Sequence, residues 1–169
     1  VPDERTQIDS PDKVSALLVN AYPKVSYAAI VNTRCDYITD FGSVYSGAQP
    51  GALFSFMGEN FLWKDVIEDG NDSFENFWTG CYAAIAVSNK ALISIAVLGT
   101  PSSTINQKGE ALMTRAFSHF CLASLFAQQY DESTASLYPG IPYVEKPETQ
   151  PVEQYDRETV ADTYRKITQ

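Results

Sequence analysis

The sequence predicts an all-α protein of helical hairpins with long irregular, aromatic-rich loops. Two segments, 73–97 and 109–130, repeat apolar residues at steps of three and four, the period of a helix with a buried face. Gly99-Thr100-Pro101 separates them, and Gly followed by Pro is typical of a helix end. Because the connection is short, the two helices are expected to pack antiparallel as a hairpin.

The composition fits a folded domain and disfavours nucleic-acid binding. The chain has 169 residues, 44% of them hydrophobic and 20% charged, which is ordinary for a globular protein. The formal net charge is −9, and no basic stretch stands out. Binding to a phosphate backbone needs clustered Lys and Arg, so nucleic acid is not an expected partner.

The three cysteines, Cys35, Cys81 and Cys121, form no CxxC pair and leave at least one thiol unpaired. Cys81 and Cys121 lie in helical apolar patterns, where a free thiol usually acts as a small hydrophobe. This interpretation is favoured over a metal or redox site. No metal and no cofactor are predicted.

The most apolar segment, 81–99, is interpreted as a buried helix. Polar residues interrupt it at positions 88, 89, 90 and 94. A membrane span needs about twenty mostly apolar residues, so this segment is a poor candidate for one.

Helix signals also mark the two ends of the chain. Ser10-Pro11-Asp12 reads as an N-cap, a Pro at the first helical position and an acid in the first turn. A last helix is expected after Thr159, capped within 156–159. No partner is evident for that helix in the sequence, so an exposed apolar surface is expected near the C-terminus.

The segment 109–130 is expected to form the inner helix of the stack. Large aromatic residues alternate with alanines on one broad face, so that another helix can approach while the rings fill the gaps. The residues of this predicted face are Leu112, Met113, Ala116, Phe117, Phe120, Ala123 and Ala127.

The segment 26–70 is the strongest candidate for a functional surface. Ser, Gly, Asn and Pro punctuate it, and irregular segments of this length are uncommon unless they are functional. Its many aromatic residues suit sugar binding, because sugar rings stack on aromatic faces while carboxylates and amides bind the hydroxyls. Packing remains the alternative for any single ring, most of all for Trp63. The candidate ligand-binding residues are Asp36, Tyr37, Asp40, Phe41, Tyr45 and Trp63.

Other polar features have structural interpretations. His119 is the only histidine and has no catalytic partner at a recognisable spacing, so a packed or surface imidazole is favoured over general acid–base catalysis. Arg115 is expected to pair with a carboxylate or to bind a neighbouring carbonyl. The acidic stretch 68–72 lacks the ligand spacing of an EF-hand and is interpreted as a turn leading to a helix cap.

Several blocks of sequence together resemble the amino-terminal part of the SusD/RagB family of bacterial outer-membrane lipoproteins. The Trp78-x3-Tyr82 helix, followed by Ala116-x3-Phe120, is similar to a tetratricopeptide helix pair. GEALMTRAFSHFCLASLFA at 109–127, with GIPYV at 140–144 and the flanking KPET, carries most of the specificity. LWKDV at 62–66, SFENFWTGCYAAIAVSNKALISI at 73–95 and RETVADTYRKI at 157–167 extend the resemblance over nearly the whole chain.

The resemblance implies a tetratricopeptide-like, non-enzymatic protein on the extracellular face of the outer membrane. Such proteins carry an N-terminal lipid anchor, bind a nutrient glycan or oligosaccharide and deliver it to a SusC-type TonB-dependent transporter. Family members are longer than this chain, so residues 1–169 are expected to be an N-terminal portion, with the lipid-bearing Cys upstream of Val1. In relatives, the loop that corresponds to the aromatic-rich segment contributes ligand contacts.

Three alternatives remain open. A helical-repeat scaffold would bind only protein, through its helix-pair surfaces. A member of the same family could bind peptide instead of glycan. A surface hydrolase is the least favoured, since glycosidases need two carboxylates that flank the scissile bond.

Overall fold

The computed structural model describes residues 7–32, 35, 58–67, 70, 73–148 and 153–169. Its first helix, α1 (Pro11–Leu18), begins as the sequence predicts. Ser10 has an extended backbone, and its hydroxyl accepts a hydrogen bond from the Lys13 backbone N–H. A short helix, α2, follows at Ala28–Asn32. Helix α1 therefore owes its start to a local cap that the sequence already encodes.

Three further helices carry most of the structure. Helix α3 spans Phe74–Val97, α4 spans Ile105–Phe126 and α5 spans Val160–Ile167, with a 3₁₀ turn at Ser102–Thr104 before α4. In the described residues the only β pairing is an isolated bridge, so the all-α prediction is confirmed there.

The turn between α3 and α4 is a left-handed C-cap. Gly99 has φ +80° and Thr100 has φ +51°. The Thr100 N–H donates to the Ile95 carbonyl at 2.9 Å, and the Gly99 N–H donates to the Ala96 carbonyl at 3.0 Å. These two bonds satisfy the free carbonyls of a helix end, which confirms the predicted stop.

The chain forms two compact units, one of residues 1–23 and 81–169 and one of residues 24–80. In the first unit, α1 packs against α4. The core of this unit contains small and branched apolar side chains that are at most 1% exposed. These residues are Val14, Leu18, Ala21, Ala91, Ile95 and Ala111.

The predicted inner face of α4 is wrong in its main members. Met113 is 70% exposed and Phe117 is 50% exposed, whereas Ala111, Thr114 and Leu122 are buried. Where this face meets α3 the side chains are small, since Ser88 Oγ and Thr114 Oγ1 hydrogen bond at 2.9 Å and the two helices are therefore close together. Large rings do not fit an interface packed this closely.

The expectation that the last helix lacks a partner is also wrong. Helix α5 packs against α4, where the rings of Tyr164 and Phe120 meet edge to face with centroids 6.3 Å apart. Thr159 is its N-cap and accepts a hydrogen bond from the Asp162 N–H. The last helix therefore packs as part of the first unit.

In the described part of the chain, α3 is long and apolar enough to cross a membrane by length and composition. However, 44% of its most apolar stretch is buried inside the protein. Its buried residues include Cys81, Ile85 and Ser88, which follow one another at steps of four and three, so α3 has the pattern of a core helix.

Candidate ligand-binding site

Trp63 is the candidate site residue that the structure describes, and its geometry is unusual. It follows a helical turn at residues 58–61 and has φ +53°. The Trp63 N–H donates to the Asn60 carbonyl at 3.2 Å, and the Lys64 N–H donates to the Glu59 carbonyl at 2.9 Å. This bond pair is that of a glycine-type C-cap, but a tryptophan occupies the left-handed position.

The turn before Trp63 is anchored through a buried amide. Asn60 is 0% exposed, and its Nδ2 donates to the Ile30 carbonyl in α2 at 3.1 Å. On the other side of Trp63, the Ile67 N–H donates to the Glu59 carboxylate at 3.2 Å. Both bonds lie within the second unit and fix the backbone on which Trp63 stands.

A bulky residue in this backbone region costs about 1–2 kcal/mol relative to right-handed backbone. The Trp63 side chain is 73% exposed, so burial of the ring in the protein does not offset that cost. Strained positions of this kind cluster at functional sites, where the strain orients a side chain. The exposure also removes the interpretation of Trp63 as a core packing residue.

The other five candidates, Asp36, Tyr37, Asp40, Phe41 and Tyr45, lie outside the described residues. Their assignment as ligand-binding residues stays a prediction. Most of the acidic stretch 68–72 also lies outside, although Ser73 caps α3 by accepting a hydrogen bond from the Asn76 N–H at 3.1 Å.

A second polar site holds the extended segment 140–145 against the α3–α4 hairpin. The Asn89 Nδ2 donates to the Val144 carbonyl at 3.0 Å, and the Tyr82 hydroxyl donates to the Pro142 carbonyl at 2.7 Å. Arg115 Nη1 donates to Asn89 Oδ1 at 3.1 Å and to the Glu145 carbonyl at 3.3 Å, which confirms its predicted carbonyl contact.

His119 is fully buried and also contacts the segment 140–145. We call the four residues that hold this segment the clamp: Tyr82, Asn89, Arg115 and His119. Its Nε2 accepts from the Val144 N–H at 3.0 Å, so the ring proton is on Nδ1, which donates to the Arg115 carbonyl at 2.9 Å. The ring stacks on Tyr143 with centroids 3.9 Å apart. Burial lowers the pKa of His119 to about 4, although the bond to the Arg115 carbonyl opposes the shift.

The chemistry of this second site is structural. Both nitrogens of His119 are bonded to backbone and its low pKa keeps it neutral near pH 7, so the ring positions the chain rather than transferring a proton. Likewise, burial raises the pKa of the Cys81 thiol to about 12, which makes it an inert core residue, as predicted.

Neither the strained backbone of Trp63 nor the clamp was expected from the sequence. No Gly or Asn marks position 63 as left-handed, so the sequence carries no signal for it. A signal for the clamp did exist, since Asn89 and His119 interrupt otherwise apolar helices and a buried polar group needs a partner.

These features define a helical-hairpin protein that presents an exposed aromatic side chain on a fixed turn. A family model described as "Starch-binding associating with outer membrane" matches residues 2–169, and the chain belongs to this SusD-like family. No curated protein matches the chain.

Membership of this family indicates the general function of the protein. It implies nutrient or glycan binding at the outer membrane in association with a SusC-type transporter. The members are binding proteins and not enzymes. The helical architecture described above agrees with the tetratricopeptide-like fold of the family.

Proposed function

We propose that this protein binds a nutrient oligosaccharide at the cell surface and passes it to a SusC-type TonB-dependent transporter. The observation that carries the proposal is Trp63, an indole that is 73% exposed on a turn fixed by the buried Asn60. An exposed aromatic face held in one place suits the apolar face of a sugar ring, and a fixed platform reduces the entropy lost on binding.

The proposed site combines Trp63 with Asp36, Tyr37, Asp40, Phe41 and Tyr45. In this arrangement the rings contribute stacking surfaces and the two carboxylates accept hydrogen bonds from sugar hydroxyls. Of these six residues, Trp63 is the one whose exposure and backbone the structure describes.

A glycan-array screen tests the ligand class, and a substitution at Trp63 tests the site. Trp63→Gly removes the ring and also suits the backbone, because glycine adopts φ +53° without strain. We expect the affinity for the glycan found on the array to fall roughly tenfold, while the free energy of unfolding stays the same or rises.

Thr100→Gly is a matched control, since Thr100 has a similar φ of +51° in a different turn. This variant should change stability in the same direction and leave glycan affinity unchanged. If Trp63→Gly binds the glycan as tightly as the wild type, Trp63 is not part of the site. Tyr45→Ala and Phe41→Ala extend the test: a loss of stability without loss of binding would assign those two rings to packing.

A second candidate function, binding of protein alone, is favoured by the exposed face of α4. Met113, Phe117 and Phe120 are 70%, 50% and 45% exposed and lie at helical spacing. Tight binding to the transporter without any carbohydrate hit on the array would favour this scaffold.

The proposal also places the protein on the extracellular face of the outer membrane through an N-terminal lipid. The gene sequence upstream of Val1 tests this placement. A signal peptide that ends in a lipid-acceptor Cys is expected there, and a cytoplasmic start Met would contradict the assignment.

A further inference from the structure

A tyrosine-rich surface belongs to the first unit, whereas Trp63 belongs to the second. Two clefts share Tyr130 as a common wall. One, of about 310 Å³, is lined by Gln128, Gln129, Asp131 and Tyr138 among others. The other, of about 390 Å³, is lined by residues of α5 that include Tyr164 and Arg165. We call the residues Gln128–Asp131, Tyr138 and Tyr164 the Tyr130 surface.

The rings of the Tyr130 surface are accessible and held in place. Tyr130 is 47% exposed and Tyr138 is 42% exposed. On its covered side, Tyr130 contacts Tyr164 with ring centroids 5.2 Å apart and planes at 63°. Each cleft therefore has at least one aromatic wall whose orientation is set by packing against another ring.

The backbone beneath these rings is pinned to the start of α5. The Val160 N–H donates to the Tyr138 carbonyl at 3.0 Å, and the Ala161 N–H donates to the Ala135 carbonyl at 3.1 Å. Gly140 adds a third backbone contact to the residues before α5, since its N–H donates to the Glu158 carbonyl at 2.6 Å. A Cβ at this position would lie 2.9 Å from the Thr159 carbonyl oxygen, so the two segments are in close contact. These contacts hold the backbone of the surface in place.

Hydrogen-bonding groups flank the rings. The side chains of Gln128 and Gln129 are exposed amides, which both donate and accept. Asp131 accepts hydrogen bonds from the backbone and hydroxyl of Ser133, and these lower its pKa, so it is an ionised acceptor at neutral pH. Hydroxyl groups of a ligand would find both donors and acceptors at the edge of the rings.

The charge of the surface disfavours an anionic ligand. The guanidinium of Arg165 is paired with Asp162 at 2.6 Å, and Asp131 adds a negative charge beside Tyr130. The whole chain carries a formal charge of −9. An anionic ligand would meet repulsion here, whereas a neutral polyhydroxylated ring would not.

From these observations we propose that the Tyr130 surface is a second saccharide-binding site, in addition to that of Trp63, with one sugar ring in each of the two clefts that Tyr130 lines. Its volumes fall at the lower end of ligand pockets, which suits short stretches of a neutral oligosaccharide. The class of ligand rests on the proposed function, but the location rests only on the geometry of this surface.

Nuclear magnetic resonance titration of the chain with maltoheptaose, cellohexaose and xylohexaose tests the proposal. Ring resonances of Tyr130 and Tyr138 and the side-chain amides of Gln128 and Gln129 report on this surface, whereas the Trp63 indole N–H reports on the other site. We expect at least one of the three oligosaccharides to shift the signals of the Tyr130 surface.

The two reporters separate this inference from the proposed function. Shifts at Trp63 alone would overturn the second site and leave the first intact. Shifts at the Tyr130 surface alone would support the second site and contradict the first. No shift at either place with any of the three sugars would overturn both.

Substitutions then assign the contacts. Gln129→Ala removes one exposed amide and should weaken binding roughly threefold without changing the melting temperature. Tyr130→Ala should weaken binding roughly tenfold. Leu137→Ala is the control, because Leu137 precedes Tyr138 and is 77% exposed but does not line either cleft. Equal affinity of Gln129→Ala, Tyr130→Ala and wild type would overturn the proposal.

Discussion

The buried histidine of the clamp makes the stability of the protein depend on pH in a defined window. His119 is 0% exposed and its pKa is lowered to about 4 from an ordinary value of 6.5. As the pH falls below 6.5, the unfolded chain binds a proton at His119 before the folded chain does. The stability contributed by the neutral imidazole is therefore complete above pH 6.5 and is lost as the pH falls towards 4.

The size of the effect follows from the shift. The two pKa values differ by about 2.5 units, and each unit corresponds to about 1.36 kcal/mol, so the loss is about 3 kcal/mol. The physical cause is that an imidazolium has little water around it here and its Nε2 can no longer accept from the Val144 N–H. The nearby positive groups Arg115 and Lys166 also disfavour it.

Two measurements test this prediction. His119 is the only histidine, so its ring proton signal needs no assignment, and its titration midpoint in the folded chain should lie near pH 4. Urea unfolding of wild type and of His119→Gln between pH 7 and 4 measures the free energy. The carboxylates titrate alike in both proteins. The difference between their free energies of unfolding at each pH therefore reports on the imidazole of His119.

We expect wild type to lose about 3 kcal/mol relative to His119→Gln over this range. A titration midpoint near 6.5, or a difference that does not change with pH, would refute the neutral buried imidazole and the clamp geometry with it.

Two further predictions concern packing. Gly140→Ala should lower the free energy of unfolding by about 1–3 kcal/mol in urea unfolding, because a Cβ would collide with the start of α5. Gly109→Ala is its control, since a Cβ there meets no atom within 4 Å and alanine suits a helix; a loss of stability in both variants would contradict the steric reason. On α4, Leu122→Ala should cost about 2–5 kcal/mol and Phe117→Ser much less, because Leu122 is 0% exposed and Phe117 is 50% exposed. Equal melting temperatures for these two variants would show that the burial pattern of α4 is wrong.

The sequence by itself determined the starts of α1 and α5 and the end of α3, whereas α2 lies in a segment that was expected to be irregular. Ser10 with Pro11 starts α1, Gly99 ends α3, and Thr159 starts α5. These signals are readable because a cap is a contact between residues a few positions apart, and the chemistry of the side chain or the freedom of glycine decides it locally.

Tertiary structure decided which faces those helices bury. The period of α4 is equally compatible with burying Phe117 or Leu122, since both sides of the helix carry apolar residues. The side with Thr114 and Ser118 is the buried one, because its small side chains allow α3 to approach closely. The distance between two packed helices depends on the side chains of both, so one helix alone does not determine it.

For the two candidate binding surfaces, too, the sequence determined part of the result and tertiary structure the rest. Aromatic density in 26–70 marked Trp63 as one residue of interest, but only the folded turn shows a ring that is 73% exposed at φ +53°. Tyr130 and Tyr164 lie 34 positions apart, so no local pattern links them. Their approach to 5.2 Å depends on α5 packing against α4. A binding surface built from distant segments is decided by packing, which the sequence expresses only through the complete fold.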